Sequence, residues 1–408
     1  MSDRRLELWW DRDHVGSLVQ DRHGDLAFSY AEAWLARSDA RPISRSLPLQ
    51  ADPFDRRACR PFFGGLLPDE DQRIGVAGAL GVSPRNEFAL LDRLGGDVAG
   101  ALSLLPEGEA PTPFAGEADP DPLDDDGFAA LLDALPHRPM LAGETGLRMS
   151  LAGAQVKLPM VIVDDRPALP RPGQPTTHIV KPENPRFPGI VANEAWCMAL
   201  AARIGLDVAP AVARSAAGRP YLLVTRYDRV ESDGRIKRVH QEDACQALGI
   251  PPEQKYAAEG GPAFRDLFAL TRDYARVPAP DVLTLVRAAI FNLAIGNADA
   301  HGKNFSFLLD AAGPRLTPLY DLVSTIAWPE LTDRLAMRVG RAGTVDELDA
   351  GTWTRFAADA GIGLPFLRRQ IGDLTEDIEL GCLADRGQNG IGERTALRAA
   401  RIRQSITG

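Results

Sequence analysis

The sequence feature that most constrains the fold is an apolar segment at residues 281–295. Drawn as a helix, Asp281-Val-Leu-Thr-Leu-Val-Arg-Ala-Ala-Ile-Phe-Asn-Leu-Ala-Ile295 is apolar on nearly every side, and Gly296 then ends it. A helix without a polar face is stable only when other elements surround it. We therefore predict a central buried helix inside a mostly helical lobe. The chain has 408 residues, which allows two or three domains or one large two-lobed enzyme.

Charge and composition exclude several classes of protein. The net charge of −10 and the isoelectric point near 5.2 argue against a free-standing nucleic-acid-binding protein, which is usually basic. The four cysteines form no Cys-x-x-Cys pair, which fits a reducing compartment. The N-terminus has no apolar signal region, and no apolar run reaches membrane-spanning length. We expect a cytoplasmic protein without a membrane span.

Composition also divides the chain into segments. Residues 106–127 carry five prolines and eight acidic residues without a basic one, so they are predicted to be a solvated linker or loop. The predicted segments are an N-terminal subdomain at 1–105, this linker, an α/β core at 128–226 and a largely helical region at 227–408.

Strand and helix patterns place the polar residues of interest. The predicted elements of the core and of the region after it are strands Lys157–Val163, Thr177–Lys181 and Tyr221–Thr225, a helix Asn193–Ile204 with Asn193 as its N-cap, and a hairpin of Phe305–Leu309 with Arg315–Tyr320. Lys181 thus ends a strand, and the hairpin leads directly to Asp321.

The segment that carries chemistry follows the buried helix. In Gly296-Asn-Ala-Asp-Ala-His-Gly-Lys-Asn304, Asp299 and Asn304 have the D-x-x-x-x-N spacing of a protein-kinase catalytic loop. Asp299 could orient and deprotonate an attacking hydroxyl, while Asn304 and Asp321 supply the hard oxygen ligands that Mg²⁺ prefers. Lys181 could hold the phosphates, with Lys157 and Lys303 as further candidates. The spacing alone is weak, and the order helix, loop, hairpin and aspartate is much more specific.

Several long motifs resemble the HipA family, the kinases of the HipA/HipB toxin–antitoxin pairs, over nearly the whole chain. The motifs that carry this resemblance, in family order, are Ser46-Leu-Pro-Leu49, Phe63 to Pro68, Gly95-Gly-Asp-Val-Ala-Gly-Ala-Leu102, Ser150-Leu-Ala-Gly-Ala-Gln-Val-Lys157, His240 to Gly249 with Lys255-Tyr256 and Gly260-Gly-Pro262, Gly296 to Phe305, and Leu319-Tyr-Asp321. The resemblance implies a two-lobed α/β kinase-like fold. It has a mixed α/β N-terminal lobe with a small N-terminal subdomain, a mostly helical C-terminal lobe, and ATP between the lobes.

The resemblance also implies roles for individual residues. Asp299 would be the catalytic base, and Asn304 and Asp321 would hold Mg²⁺. Lys181 would bind the α- and β-phosphates. The remaining residues expected around ATP are Ala152, Gly153, Ala154, Gln155 and Lys157 over the phosphates, Thr225, Arg226 and Tyr227 at the adenine, and His301, Lys303 and Tyr320 at the border of the nucleotide.

Regulation and partners follow from the same resemblance. Ser150 matches a loop serine that family members autophosphorylate, and a phosphate there would push the loop away from ATP. The family implies a HipB-like helix-turn-helix antitoxin that carries most DNA contacts. It also implies a protein substrate in translation, typically an aminoacyl-tRNA synthetase, with glutamyl-tRNA synthetase the leading candidate. Phosphorylation of a synthetase would arrest growth and favour persistence.

The sequence departs from typical protein kinases in two places. Gly153 is the only glycine between Ser150 and Lys157, and no His-Arg-Asp precedes the catalytic loop. Thr225 stands where the best-known members carry an acid, and Glu194 could pair with Lys181 or act only as a first-turn helix acid. Two other functions stay open: a small-molecule phosphotransferase of the aminoglycoside type, and a catalytically weak partner that co-represses DNA with an antitoxin.

Overall fold

The computed structural model describes residues 3–112, 114, 119–144, 147–232 and 234–406. Part of the predicted linker, residue 113 and residues 115–118, lies outside the described residues. The chain forms two compact units: one of Met1–Pro182, Arg214–Glu253 and Leu308–Asp310, the other of Glu183–Ala213, Gln254–Phe307 and Ala311–Gly408. This division follows compactness, and the functional boundaries expected at residues 105, 127 and 226 stay predictions.

The secondary structure is mixed. The strands are β1 Arg4–Trp10, β2 Asp13–Gln20, β3 Leu26–Tyr30, β4 Leu102–Pro106, β5 Leu158–Val163, β6 Arg166–Ala168, β7 His178–Pro182, β8 Ala211–Ala216, β9 Arg219–Thr225, β10 Arg229–Ser232, β11 Arg235–Arg238, β12 His240–Asp243, β13 Ser306–Asp310 and β14 Gly313–Leu316. The helices are α1 Glu32–Leu35, α2 Arg56–Gly65, α3 Glu70–Leu80, α4 Glu87–Leu94, α5 Asp125–Ala134, α6 Ile190–Arg203, α7 Ala244–Leu248, α8 Phe264–Tyr274, α9 Pro278–Ile295, α10 Ala350–Ala360, α11 Leu364–Ala384 and α12 Ile391–Ser405.

The N-terminal part of the first unit is a four-stranded sheet in the order β3-β2-β1-β4. Leu6, Leu8 and Trp10 alternate along β1 on its buried face, as the period of two in a strand requires. Phe62 and Phe63 of α2 belong to the same hydrophobic core. Most of this core comes from the N-terminal segment, and Met140, Ala142 and Leu151 join it from later in the chain.

A second sheet of the first unit, in the order β6-β5-β7-β9-β8, positions Lys181. β7 lies between β5 and β9, antiparallel to both, and Lys181 pairs in register with Leu222. The three strands predicted in this region are confirmed to within one or two residues at each end.

Helix α9 is the centre of the second unit, as the apolar segment predicts. Pro278 occupies its first turn, and Gly296 ends it in the left-handed conformation at φ 71°. In the described part of the chain, α9 is the one helix long and apolar enough to cross a membrane, and 61% of it is buried inside the protein. Helices α8, α11 and α12 pack against it, which is the setting of a core helix.

Two predicted elements differ from the structure. Helix α6 begins at Ile190, three residues before the expected N-cap, because the Glu183 carboxylate accepts hydrogen bonds from the backbone N–H groups of Gly189 and Ile190. Asn193 lies inside the helix, so the assignment of Asn193 as N-cap was wrong. The second hairpin strand ends at Leu316 rather than Tyr320.

Candidate active site

The catalytic-loop segment starts at a glycine that no other residue could replace without strain. Gly296 has φ 71°, and a Cβ atom there would lie 2.6 Å from the Ile326 side chain. The backbone N–H groups of Gly296 and Asn297 still bond to carbonyls of the last turn of α9. The chain therefore leaves the helix in one defined direction.

Two polar side chains hold the loop after this exit. Thr325 Oγ1 donates to the Gly296 carbonyl at 2.9 Å and accepts from the Ala298 N–H at 2.9 Å. Asn297 Oδ1 accepts from the Asp299 N–H at 3.1 Å, while its Nδ2 donates to Asn292 Oδ1 at 2.8 Å. These bonds fix the backbone that leads into Asp299. Asn297 lies within the segment that the sequence marks as the catalytic loop, whereas Thr325 carries no sequence signal of this kind.

Asp299 is exposed on this loop, and its carboxylate has a tyrosine partner. The Tyr256 hydroxyl donates to Asp299 Oδ1 at 2.9 Å. The ring of Tyr256 stands edge-on to His301, with centroids 5.2 Å apart. A surface carboxylate held in one orientation is what a general base for a hydroxyl acceptor requires.

The two expected metal ligands follow Asp299 in the same unit. Asn304 Oδ1 accepts the N–H of His301 at 3.0 Å, which leaves this amide oxygen a second lone pair. Asp321 is half-buried in the left-handed region at φ 54°, a conformation that a non-glycine residue keeps only where its surroundings enforce it. Asn297 Nδ2 contacts the Asp321 carbonyl at 3.5 Å. One amide oxygen and one carboxylate are oxygen donors of the kind Mg²⁺ takes.

Tyr320 and Lys303 border this group. The Tyr320 hydroxyl donates to the Lys303 carbonyl at 2.6 Å and shares a hydrogen bond with Ser306 at 2.6 Å. Lys303 and His301 are both buried. Tyr320 therefore ties the end of the loop to the start of β13.

In the first unit, the segment 150–157 is folded tightly on itself. Lys157 is buried, and its ammonium donates to the Ala152 carbonyl at 2.7 Å. Gly153 has φ 112°, and a Cβ there would lie 2.5 Å from Lys157 Nζ. The Gly153 carbonyl in turn accepts from the Asp69 N–H at 3.1 Å. Ala154 is exposed, and Ala152 and Gln155 are half-buried.

Ser150 is the most enclosed residue of this segment. Its side chain is 0% exposed, and its hydroxyl donates to the Leu66 carbonyl at 2.7 Å. Its backbone N–H bonds to the Asp97 carbonyl at 3.0 Å. A phosphate group cannot be accommodated at this position unless the segment moves.

The adenine-side residues divide by environment. Thr225, at the end of β9, is half-buried and pairs with His178. The Tyr227 hydroxyl donates to Gln241 Oε1 at 2.5 Å. The Arg226 side chain is buried and bonds to Asp228 at 2.8 and 2.9 Å, so any contact of Arg226 with a nucleotide would fall to its backbone.

Arg226 belongs to a buried ion-pair network that the sequence patterns do not reveal. Arg229 bonds to Asp97 at 2.7 Å and to Asp228 at 3.0 Å. Burial alone would raise the pKa of Asp97, but Arg229, Arg226 and Arg238 outweigh it and hold that pKa well below its usual value. Burial lowers the pKa of Arg229 to about 10. The network joins residues far apart in sequence within one unit.

His240, at the start of the family-like motif His240 to Gly249, is a satisfied core histidine. The Ala101 N–H donates to its Nδ1 at 3.4 Å, so Nε2 carries the proton and donates to the Ile43 carbonyl at 2.8 Å. Burial lowers the pKa of His240 to about 4. The ring is neutral and structural.

Family models match both the N-terminal and the C-terminal part of the chain. Residues 6–105 match the HipA N-terminal domain, and residues 149–381 match the HipA-like C-terminal domain. The chain belongs to the HipA family. The predicted two-lobed kinase-like fold is confirmed by a solved complex of Shewanella oneidensis HipA, HipB and operator DNA. One chain of that complex matches with a TM-score of 0.81 and 27% identity, over 98% of this chain and 96% of its own length.

Two related proteins are similar to this HipA family member over most of its length. Y4mE, a Sinorhizobium fredii protein whose name assigns it provisionally to the kinases, is 59% identical over 379 residues, which cover 92% of this chain and 90% of Y4mE. The serine/threonine-protein kinase toxin HipA of Shewanella oneidensis is 32% identical over 368 residues, or 86% of this chain and 82% of the relative. Membership of a family of serine/threonine kinase toxins follows.

The predicted site residues are distributed over both units of this HipA-like chain. The second unit brings together Asp299, His301, Lys303, Asn304, Tyr320 and Asp321. The first unit holds Ser150, Ala152 to Gln155, Lys157, Lys181 and Thr225 to Tyr227. Glu194, buried in the second turn of α6, and Lys181 belong to different units, and their pairing stays a prediction. Among the described residues, no three His, Cys, Asp or Glu side chains gather into a metal-binding group.

Proposed function

We propose that this HipA family member is an ATP-dependent serine/threonine protein kinase with Asp299 as its catalytic base. The observation that carries the proposal is the loop at 296–304. Asp299 is exposed there, and the bonds of Thr325 and Asn297 fix the backbone that leads into it. A general base needs this combination of access and fixed direction.

ATP and Mg²⁺ complete the proposed site. Asn304 and Asp321 are the two residues that would hold the ion, and their oxygen chemistry fits it because Mg²⁺ takes one or two protein oxygens and fills its other positions with phosphate and water. Bound Mg²⁺ would neutralise the charge that develops on the phosphates.

The first unit supplies the proposed phosphate-binding groups. Lys181 is buried on β7, an inner strand of its sheet, so its side chain extends from a rigid backbone. The segment Ala152 to Lys157 would cover the phosphates, with Gly153 allowing the close approach of its backbone. Thr225 to Tyr227 would line the adenine, Arg226 through its backbone, and His301, Lys303 and Tyr320 would border the nucleotide.

Ser150 is the proposed site of self-inactivation. Its hydroxyl is enclosed, so the segment must open before phosphate can be added. Once added, about −1.5 to −2 of charge could not return to a buried position beside a carbonyl oxygen. The phosphorylated segment would therefore stay away from the ATP phosphates.

The proposed physiological role is growth arrest by phosphorylation of a translation factor, most readily glutamyl-tRNA synthetase or another aminoacyl-tRNA synthetase, in the cytoplasm. Support comes from the relative that is named a serine/threonine-protein kinase toxin. A HipB-like antitoxin is the proposed partner, in analogy to the solved complex that contains HipB and operator DNA.

DNA contacts are assigned to the antitoxin for a structural reason. The arginines near the C-terminus bind groups of their own unit: Arg394 the Asn389 carbonyl, Arg398 the Leu293 carbonyl, Arg401 the Asp346 carboxylate and Arg403 the Glu379 carboxylate. A net charge of −10 further disfavours DNA binding by the chain alone.

The acceptor class is tested by offering two acceptors side by side. We expect transfer of labelled phosphate from ATP to purified glutamyl-tRNA synthetase and none to an aminoglycoside. Transfer to the aminoglycoside alone would replace the protein-kinase proposal by the small-molecule phosphotransferase. If neither acceptor is labelled and the chain binds operator DNA only together with a HipB-like protein, the co-repressor alternative is favoured.

A further inference from the structure

Tyr256 meets the carboxylate of Asp299 from a segment that is itself built against the catalytic loop. The Lys255 carbonyl accepts from the Gly302 N–H at 3.4 Å, and the Tyr256 carbonyl accepts from the Gly261 N–H at 2.9 Å. A Cβ at Gly261 would lie 2.2 Å from the Gln254 carbonyl oxygen, so the segment 254–261 closes more tightly than any other residue would allow. The tyrosine therefore starts from a rigid backbone.

The ring of Tyr256 is fixed from two further directions. His301, inside the catalytic loop, stands edge-on to it at 5.2 Å between centroids. The Lys255 ammonium lies 5.3 Å from the ring centroid, within cation–π range. With backbone and ring both held, the hydroxyl lies 2.9 Å from Asp299 Oδ1 and donates to it.

We infer that Tyr256 is a positioning residue for Asp299, an inference that rests on the proposed function of Asp299 as the base. The hydrogen bond on Oδ1 sets the rotation of the carboxylate and therefore the direction in which Oδ2 points. A carboxylate offers about four lone-pair positions on its two oxygens, so a donor on Oδ1 is compatible with an acceptor hydroxyl on the same group. Tyr256 thus orients Asp299 through a hydrogen bond, as a third group orients the catalytic base in other enzymes.

A purely structural role explains less of the geometry. Asp299 is exposed and Tyr256 half-exposed, and a hydrogen bond between such groups contributes little to folding. The segment 254–261 nevertheless uses a glycine-only turn and two ring contacts to bring this one hydroxyl to this one oxygen. Rigid support of this kind is expected where the direction of a reacting group matters.

The test removes the hydroxyl and keeps the ring, with Tyr256→Phe in the full chain. The readout is the initial rate of labelled phosphate transfer from ATP into the protein fraction of a dialysed bacterial extract. We expect the maximal rate to fall roughly 10-fold while the KM for ATP and the thermal unfolding temperature stay unchanged. Tyr274→Phe, which removes a tyrosine hydroxyl on α8 of the same unit, is the control and should behave like the parent chain.

A double-mutant cycle with Asp299→Asn shows whether Tyr256 acts through the base. If it does, adding Tyr256→Phe to Asp299→Asn causes no further fall in the rate of phosphate transfer. An unchanged rate in Tyr256→Phe, or losses that multiply in the double variant, would overturn the inference. If the parent chain and Asp299→Asn transfer phosphate equally, the assignment of Asp299 as the base fails instead, and the two failures are therefore distinguishable.

Discussion

Asn193 of α6 forms hydrogen bonds to the backbone of Ser324 through both the oxygen and the nitrogen of its side-chain amide. Its Oδ1 accepts from the Ser324 N–H at 2.9 Å, and its Nδ2 donates to the Ser324 carbonyl at 3.1 Å. Ser324 lies three residues after Asp321 and directly before Thr325, which holds the catalytic loop. A buried side chain on a helix thus fixes the backbone between Asp321, the second expected metal ligand, and Thr325, which bonds to the catalytic loop.

This amide clamp gives the first prediction. Asn193→Asp keeps the size of the side chain but replaces the donor with an oxygen that faces the Ser324 carbonyl in a buried site. We expect the free energy of unfolding to fall by about 3 kcal/mol in urea titrations, because a buried partner is lost and a charge takes its place. Asn389→Asp, an exposed change of the same kind in the same unit, should have little effect, and equal losses in both variants would refute the clamp.

His240 makes stability depend on pH in a defined window. Its pKa is about 4 in the folded chain and near 6.5 when unfolded, so between these values the unfolded chain binds more protons. Stability therefore falls as pH falls through this window. We expect a loss of about 2 kcal/mol between roughly pH 7 and pH 5 from this residue.

The contribution of His240 is isolated by replacing it. In His240→Gln, the part of the pH dependence that belongs to this ring should disappear from urea titrations at the two pH values. A pH dependence that is the same in His240→Gln as in the parent chain contradicts the buried neutral histidine.

Ser150 connects burial with regulation. Ser150→Ala removes the hydroxyl that bonds to Leu66, and we expect this variant to transfer phosphate at first like the parent chain. Preincubation with ATP should slow the parent progressively and leave the variant active, which a time course of transfer with intact-mass analysis would reveal. Ser103→Ala, another buried serine of this unit, should inactivate as the parent does. A Ser150→Ala chain that still inactivates itself would remove Ser150 from this role.

The parts of the fold that could be predicted from sequence are those determined by neighbours along the chain. The apolar helix at 281–295 and its glycine stop follow from local composition, and α9 ends where expected, at Ile295, although it begins three residues earlier, at Pro278. The start of α6 could not be placed, because Glu183, six residues before Gly189, satisfies the first N–H groups in place of a standard cap. Carboxylates at that distance are not a cap pattern.

The site also combines features that neighbours along the chain determine with contacts that only folding creates. The spacing of Asp299, Asn304 and Asp321 is visible in the sequence because these residues follow one another along the chain. The contact of Tyr256 with Asp299 is not visible there, since the two residues are 43 positions apart. The engagement of Arg226 with Asp97 and Asp228 is equally invisible, because one of these carboxylates lies 129 positions earlier in the chain and only folding brings it near.

The central claim is that this HipA family member transfers phosphate with Asp299 as its base. The most direct measurement incubates the chain and an Asp299→Ala variant with Mg²⁺ and labelled ATP in a cleared bacterial lysate. The account predicts a labelled protein band with the parent chain and a signal about 10²- to 10⁴-fold weaker with the variant. Equal labelling by both chains, or none by the parent, would contradict it.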